Sequence, residues 1–151
     1  MYSRHEASKL KQDFWTRFGQ YMKPVPSATG EKVNWSNYKT GVPHIYFRLS
    51  AERDGATVSI QLAHPDAAQR LSQFAQLLAL KNMLHEQLGE EWMWTENLRD
   101  ENNREISSVE INDRGLNIFN EADWPQLISF LKPRIIALDA FWSDVKPFFE
   151  N

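Results

Sequence analysis

The sequence of 151 residues contains no cysteine, which excludes disulfide bonds, thiolate metal sites and cysteine nucleophiles. No apolar run approaches the roughly 20 residues of a membrane-spanning helix, and the first residues lack the apolar core of a signal peptide. We therefore expect a soluble, cytoplasmic protein without a membrane partner. Because a chain of this length buries about 70% of its unfolded surface, we predict one globular domain over residues 1–151.

The motifs that mark common nucleotide and hydrolase sites are also missing. The six glycines are scattered singly, without a phosphate-cradling G-x-G-x-x-G or G-x-x-x-x-G-K-[ST] loop, and no G-x-S-x-G nucleophile elbow occurs. The four histidines, His5, His44, His64 and His85, form no helical pair with metal-ligand spacing. We accordingly predict no catalytic residue, no cofactor and no metal, and favour a protein that is not an enzyme.

Charge is divided unevenly along the chain, whose net charge is −3. Residues 1–65 carry nine Lys or Arg and five Asp or Glu, whereas residues 66–151 carry eight and fifteen. An asymmetry of this kind favours self-association or presents a basic surface to an anion. No run reaches the five or six like charges typical of a binding tail, so a solvated surface is the simpler interpretation.

Apolar periodicity predicts three main helices. Leu10, Phe14, Phe18 and Tyr21 share one face of a first helix over about residues 6–22. A second helix spans about residues 66–88, after Pro65 and Asp66 and before Gly89. A third begins near Asp123, and Pro133 inside it predicts a kink or break near residues 129–132.

The clearest local signal is a β-hairpin over residues 45–62. Apolar and polar residues alternate on both sides of Asp54-Gly55, a dipeptide typical of two-residue hairpin turns. This turn predicts that Ala51 faces Val58, Leu49 faces Ile60 and Phe47 faces Leu62, with Tyr46 and Arg48 on the opposite face. Shorter strands are predicted at residues 33–38, 92–94, 106–111 and 116–119.

These elements predict an α+β fold. The expected architecture is an antiparallel sheet of about four to six strands with the helices on one face, in the order α-β-β-β-α-β-β-(β)-α. There is no clear internal repeat.

One segment combines aromatic and basic residues in a way that suggests a ligand-binding surface. The candidate residues are Trp35, Tyr38, Lys39, Tyr46 and Arg48, because aromatic and basic side chains on a sheet can stack on bases or hold an anion. The simpler alternative, which we prefer, is that Trp35 and Tyr38 pack against the first helix or the sheet edge.

The order of helix, three strands, helix and strand matches that of restriction-endonuclease-like enzymes. These nucleases need an Asp on one strand and a Glu-x-Lys variant on the next. The corresponding strand here, Val58 to Gln61, has neither a carboxylate nor a lysine. A metal-dependent hydrolase would then require relocated carboxylates such as Glu31, Glu52 and Asp54 to converge.

Several segments together resemble the bacterial domain-of-unknown-function 4268 family. They are Phe14-Trp15-Thr16-Arg17-Phe18, the stretch from Asn34 to Gly41, the hairpin and following helix through Glu90, Arg104 to Ser107, and Asp123-Trp124-Pro125 through Pro147. The resemblance covers nearly the whole chain and implies a bacterial α+β domain, with some relatives attached to nuclease-like or restriction-associated proteins. It carries over no catalytic residue.

We therefore favour a non-catalytic binding or accessory module in a DNA-processing or defence context. Its partner would be an unidentified protein or a second copy of the chain. One alternative is nucleic-acid binding through the basic N-terminal half, which requires Lys32, Lys39, Arg48 and Arg53 to share a surface. The other is a degenerate restriction-endonuclease-like, metal-dependent hydrolase.

Overall fold

The computed structural model describes residues 2–150, which form an α+β fold with one antiparallel sheet of four strands. The strand order is β1-β2-β4-β3, and the described residues contain four α-helices rather than the expected three. The elements are α1 (Arg4–Met22), β1 (Ile45–Glu52), β2 (Gly55–Leu62), α2 (Ala67–Ala79), α3 (Lys81–Leu88), β3 (Met93–Arg99), β4 (Glu105–Asp113) and α4 (Trp124–Val145). None of the helices in this part of the chain is both long and apolar enough to cross a bilayer.

Helix α1 begins at a capping box, in which the Ser3 side chain accepts from the Glu6 backbone and the Glu6 side chain accepts from Ser3. Its buried face consists of Phe14, Phe18 and Met22, spaced four residues apart. The prediction that Tyr21 belongs to this face is wrong, since Tyr21 is 53% exposed. The step of four continues to Met22, which takes the buried position.

The hairpin forms with the predicted faces but a different register. Leu49 pairs with Val58 and Phe47 with Ile60, two residues away from the predicted pairs, because the turn residues are Arg53 and Asp54. The shift preserves the faces, since side chains alternate with a period of two. Gly55 pairs with Glu52 at a φ of 147°, and an added Cβ there would lie 2.6 Å from the Asp113 carbonyl oxygen. Close approach of β4 therefore requires this glycine.

Two predicted short strands are absent from the structure. Residues 33–38 contain a 3₁₀ turn at Trp35–Asn37, capped by the Asn34 side chain. Residues 116–119 form no strand, although the Ile118 N–H donates to the Glu52 carbonyl at the end of β1. In both segments alternating apolar side chains are buried without strand pairing, among them Trp35, Leu116 and Ile118, which explains why the pattern suggested strands.

The two long predicted helices differ in detail from the structure. The second is divided at Leu80 (φ −99°, ψ 11°) into α2 and α3. Of the kink or break predicted near residues 129–132, the break does not occur, because α4 continues through Pro133. Pro133 has no N–H to bond the carbonyl of Ser129, four residues earlier, and both residues are exposed. The Arg134 guanidinium donates to the neighbouring Phe130 carbonyl at 2.9 Å.

The two faces of the sheet have different environments. Every strand residue of the hydrophobic core lies on one face, including Phe47, Val58, Ile60 and Val109, and this face packs against α4 and α2. The other face, called the open face below, carries no member of that core. Its side chains are Tyr46, Arg48 and Ser50 of β1, Thr57, Ser59 and Gln61 of β2, Ser108, Glu110 and Asn112 of β4, and Met93 and Thr95 of β3.

Candidate functional site

Four of the five candidate residues line one cleft. Tyr38, Lys39, Tyr46 and Arg48 surround a space of about 390 Å³ between the turn before β1 and the edge of the sheet. The fifth, Trp35, lies elsewhere. The cleft forms because the chain from residue 37 to residue 44 passes beside β1 before entering it.

Trp35 belongs to the core, as the simpler alternative proposed. Its side chain is 3% exposed, and its indole Nε1 donates to the Val25 carbonyl at 2.9 Å. The ring also lies 6.1 Å from that of Tyr38. Because both its apolar surface and its polar atom are used inside the protein, Trp35 is not available for stacking on a ligand.

Tyr38 is held between the sheet and α4. Its ring stacks on Phe47 with 5.2 Å between centroids, and its hydroxyl donates to Asp139 Oδ1 at 2.5 Å. Asp139 is buried, at 5% exposure, and also accepts from the Ala28 N–H at 2.7 Å. Burial, the hydrogen bond and the negative charge of Asp139 together raise the pKa of the Tyr38 phenol well above its usual value. Tyr38 thus anchors the chain before β1.

Tyr46 and Arg48 lie on the open face. The guanidinium of Arg48 stacks over the Tyr46 ring, with its Cζ 4.2 Å from the centroid. They are two residues apart on β1, so both side chains project from the same face of the strand. No carboxylate among residues 2–150 forms an ion pair with Arg48. The pair therefore presents a positive charge on an aromatic platform.

The basic cluster required for the nucleic-acid alternative is brought together only in part. Lys39 and Arg48 line the same cleft, which Lys32 and Arg53 do not line. Arg53 lies in the hairpin turn, with its guanidinium 5.6 Å from the centroid of the Phe119 ring.

The three carboxylates named for a metal-dependent hydrolase are also not assembled. Glu52 and Asp54 line one shallow cleft at the hairpin turn, and the Glu52 carboxylate pairs with Lys11 Nζ at 2.7 Å. Glu31 belongs to the loop after α1, where its N–H donates to Ser27 Oγ. Within residues 2–150, no group of three or more His, Cys, Asp or Glu side chains is placed to hold a metal ion.

A row of three side chains crosses the open face. Sequence reasoning named only its first member, Arg48, as a candidate. Arg48 of β1 pairs with Ser59 of β2, which pairs on its other side with Glu110 of β4. The Glu110 carboxylate accepts from Ser108 Oγ at 3.0 Å and from Asn112 Nδ2 at 3.2 Å, but no cation in the described chain pairs with it. The alternation of polar and apolar residues in β4 indicates that Glu110 lies on the polar face of its strand. Only the pairing of β4 with β2 shows that Glu110 lies in line with Ser59 and Arg48.

Sequence reasoning also missed the contact between His44 and His64. Their rings meet edge to face with 4.9 Å between centroids. The Ala63 N–H donates to the His44 carbonyl, so the hairpin ladder extends one pair beyond Ile45 and Leu62. In this register His44 lies opposite Ala63, so the hairpin ladder alone does not predict the contact with His64.

Comparison with protein families gives one match. Residues 10–146 match the family described as "Domain of unknown function (DUF4268)", which spans nearly the whole chain and agrees with the resemblance found in the sequence. Neither the comparison with curated proteins nor the comparison with solved structures gave a match.

Proposed function

The chain belongs to the DUF4268 family, and from this premise we propose that it is a binding module that pairs with a second copy of itself through the open face. The observation that carries the proposal is the row of Arg48, Ser59 and Glu110. One end of this row is positive, the other is negative, and neither charge has an oppositely charged partner within residues 2–150.

The row is self-complementary under two-fold symmetry. An axis that runs along β2, between two facing sheets, exchanges the positions of β1 and β4. It therefore places Arg48 of each copy over Glu110 of the other copy and forms two equivalent ion pairs. Each carboxylate is already oriented by Ser108 and Asn112, so less side-chain entropy is lost when the pairs form.

The centre of the open face permits close approach of a second sheet. Ser59 and Ser108 have short side chains that are 3% and 1% exposed, so the longer residues around them supply the surface at the middle of the face. Four strands about 4.8 Å apart and roughly eight residues long present about 500 Å² per copy. The two copies would bury about 1,000 Å² in total, which is the size of a weak, reversible interface. We expect self-association that is transient, with a dissociation constant on the order of micromolar or weaker.

A protein surface fits this face better than a nucleic-acid backbone does. Glu110 is a negative charge on the middle strand β4 and would repel phosphate groups, whereas it complements a basic side chain of another copy. The expected accessory role in a DNA-processing or defence setting, and the bacterial origin, stay predictions.

Sedimentation velocity from 1 to 500 μM tests the proposal through charge reversal. Arg48→Glu alone and Glu110→Arg alone should each leave the protein monomeric, because each faces like charges at the interface. The double variant should dimerise again, because the two pairs are restored with reversed polarity. Lys23→Glu, at the end of α1 and not part of the open face, is the control and should dimerise like the parent chain.

Two results would refute the proposal. One is a parent chain that stays monomeric over the whole concentration range. The other is a dimer that both single reversals leave intact, which would place the interface elsewhere. The double variant also controls for misfolding. It contains both single substitutions, so if either one prevented dimerisation by disturbing the fold, the double variant would not dimerise.

A further inference from the structure

Two clefts meet at the His44 and His64 rings, at the end of the hairpin away from its turn. One, of about 440 Å³, is lined by both rings together with Gln69, Gln73 and residues 41–43 and 149–150. The other, of about 500 Å³, is lined by the same rings and by residues 63, 65, 67, 70, 104 and 105. Both volumes lie in the range of small-molecule binding sites. Neither cleft includes Arg48 or Glu110, so this site is independent of the proposed dimer interface.

The backbone of His44 is the first sign that its imidazole has a role. The Ile45 N–H donates to the Val42 carbonyl across a turn with Pro43 at its second position and His44, at a φ of 68°, at its third. A turn with negative φ and then positive φ is type II, in which glycine ordinarily occupies the third position. Retaining histidine here stores strain, and such strain is typical of functional positions.

The hydrogen bonding of His64 determines what its ring can do. Its Nδ1 accepts from the Asp66 N–H at 3.0 Å, so the neutral ring carries its proton on Nε2. A histidine that ligates a metal normally donates its other ring nitrogen to an acceptor, which is the opposite arrangement. His64 is therefore fixed as a hydrogen-bond donor, which suits an oxyanion.

Arg104 supplies a free positive charge to the second cleft. Its guanidinium has no carboxylate or hydrogen-bond partner among residues 2–150. Arg70, which lines the same cleft, is already committed, because its two terminal nitrogens donate to four acceptors, including Glu105 at 2.7 Å. Glu105 is in turn neutralised by Arg70 and lies 3.8 Å from the guanidinium of Arg99. The cleft thus keeps one unpaired cation.

One residue that lines the first cleft carries an acceptor without a hydrogen-bond partner. Gln73 lines it, and the Oε1 of Gln73 is fully buried yet accepts no hydrogen bond from the described residues. Buried polar atoms are normally satisfied, so an acceptor without a partner on a residue that lines a cleft favours a ligand that brings a donor to it. Glu150 lines the same cleft, and its negative charge also favours a donor there.

We propose that this site binds a phosphate ester. The phosphate lies in the second cleft between His64 Nε2 and the Arg104 guanidinium, against the ring of His44. A hydroxyl or amino group of the esterified part extends into the first cleft and donates to Gln73 Oε1. The shared chemistry is a phosphate with a donor-bearing substituent, whether it comes from a small monoester or from a nucleic-acid chain.

The test is a ¹H–¹⁵N NMR titration of the full chain at constant ionic strength. The probes are inorganic phosphate, adenosine monophosphate and a single-stranded oligonucleotide without terminal phosphates. We expect saturable shifts of the His64 side chain and Arg104, with adenosine monophosphate binding more tightly than inorganic phosphate. Arg104→Gln should weaken binding about tenfold, since a hydrogen bond between charged groups is lost.

His44→Gly separates a binding role from a structural one. Glycine is the residue that this turn prefers, so the melting temperature should stay unchanged or rise while phosphate binding weakens about fivefold. Arg114→Gln is the control, because it removes the same charge from the cleft at the hairpin turn, and its affinity should stay within twofold.

Saturable binding of the monoester assigns a small ligand, and binding of the oligonucleotide that also requires Arg104 assigns a phosphodiester. The inference is overturned if no probe binds saturably. It is equally overturned if Arg114→Gln weakens binding as much as Arg104→Gln does, since binding would then reflect overall charge.

Discussion

Replacing Tyr38 with phenylalanine should destabilise the protein by an amount that decreases at alkaline pH. The phenol donates to the buried carboxylate of Asp139, and a hydrogen bond to a charged acceptor contributes roughly 1.5–3 kcal/mol. Asp139 keeps the Ala28 N–H as a second donor. We therefore expect a loss near the lower end, about 2 kcal/mol in the free energy of unfolding at pH 8.

The pH dependence follows from the raised pKa of Tyr38, whose first cause is burial and whose further causes are the hydrogen bond and charge of Asp139. The unfolded phenol titrates near pH 10, whereas the folded phenol stays protonated above that pH. The contribution of Tyr38 is therefore fully present below pH 10 and is lost as pH rises further. At pH 11 the unfolded state gains at most about 1.4 kcal/mol, which we reduce to about 1 kcal/mol because the side chain is only half-buried.

Urea unfolding followed by tryptophan fluorescence at pH 8 and pH 11 measures both effects. The difference in stability between the parent chain and Tyr38→Phe should fall from about 2 to about 1 kcal/mol. Other ionisations occur in both proteins and cancel. Tyr21→Phe, at a 53% exposed position, serves as the control and should show no such change with pH. A difference for Tyr38→Phe that stays constant or grows would refute the argument.

Two further predictions concern buried charge and backbone conformation. Arg70→Lys should lower the free energy of unfolding, measured in urea, by about 3 kcal/mol, because one ammonium cannot replace a buried guanidinium that binds four acceptors. The control is Arg99→Gln, at a side chain that is 62% exposed, which should cost less than about 1 kcal/mol. Equal losses for the two variants would contradict this reasoning. Gly55→Ala should cost about 2 kcal/mol by calorimetry, since its Cβ would meet the Asp113 carbonyl. Gly19→Ala, with open space in α1, should gain about 0.5–1 kcal/mol, and a gain at both positions would refute the steric reasoning.

The faces of the hairpin could be predicted from the sequence, whereas its register could not. Alternation determines which side chains point to the core, and a shift of two residues leaves that unchanged. The turn lies at Arg53 and Asp54 because Gly55 is needed where the backbone of Asp113 approaches. This contact comes from β4, more than 50 residues later in the chain, and has no local signal.

The candidate site was predictable to the extent that its residues are close in sequence. Tyr38, Lys39, Tyr46 and Arg48 share a cleft because they lie within eleven positions of one another. The burial of Trp35 depends on the Val25 carbonyl, which the fold of the preceding loop brings to its indole. The row that ends at Glu110 depends on strand order, which requires the whole sheet.

The carboxylate of Asp139 has a consequence for how the chain folds during synthesis. It holds Ala28 and Tyr38, which precede it by 111 and 101 residues, and Trp142 Nε1 donates to the Thr40 carbonyl across 102 residues. The segment that leads into β1 therefore lacks these three hydrogen bonds until α4 has left the ribosome. Because such distant contacts form late, we expect the segment from residue 28 to residue 40 to reach its final packing only after α4 has been synthesised.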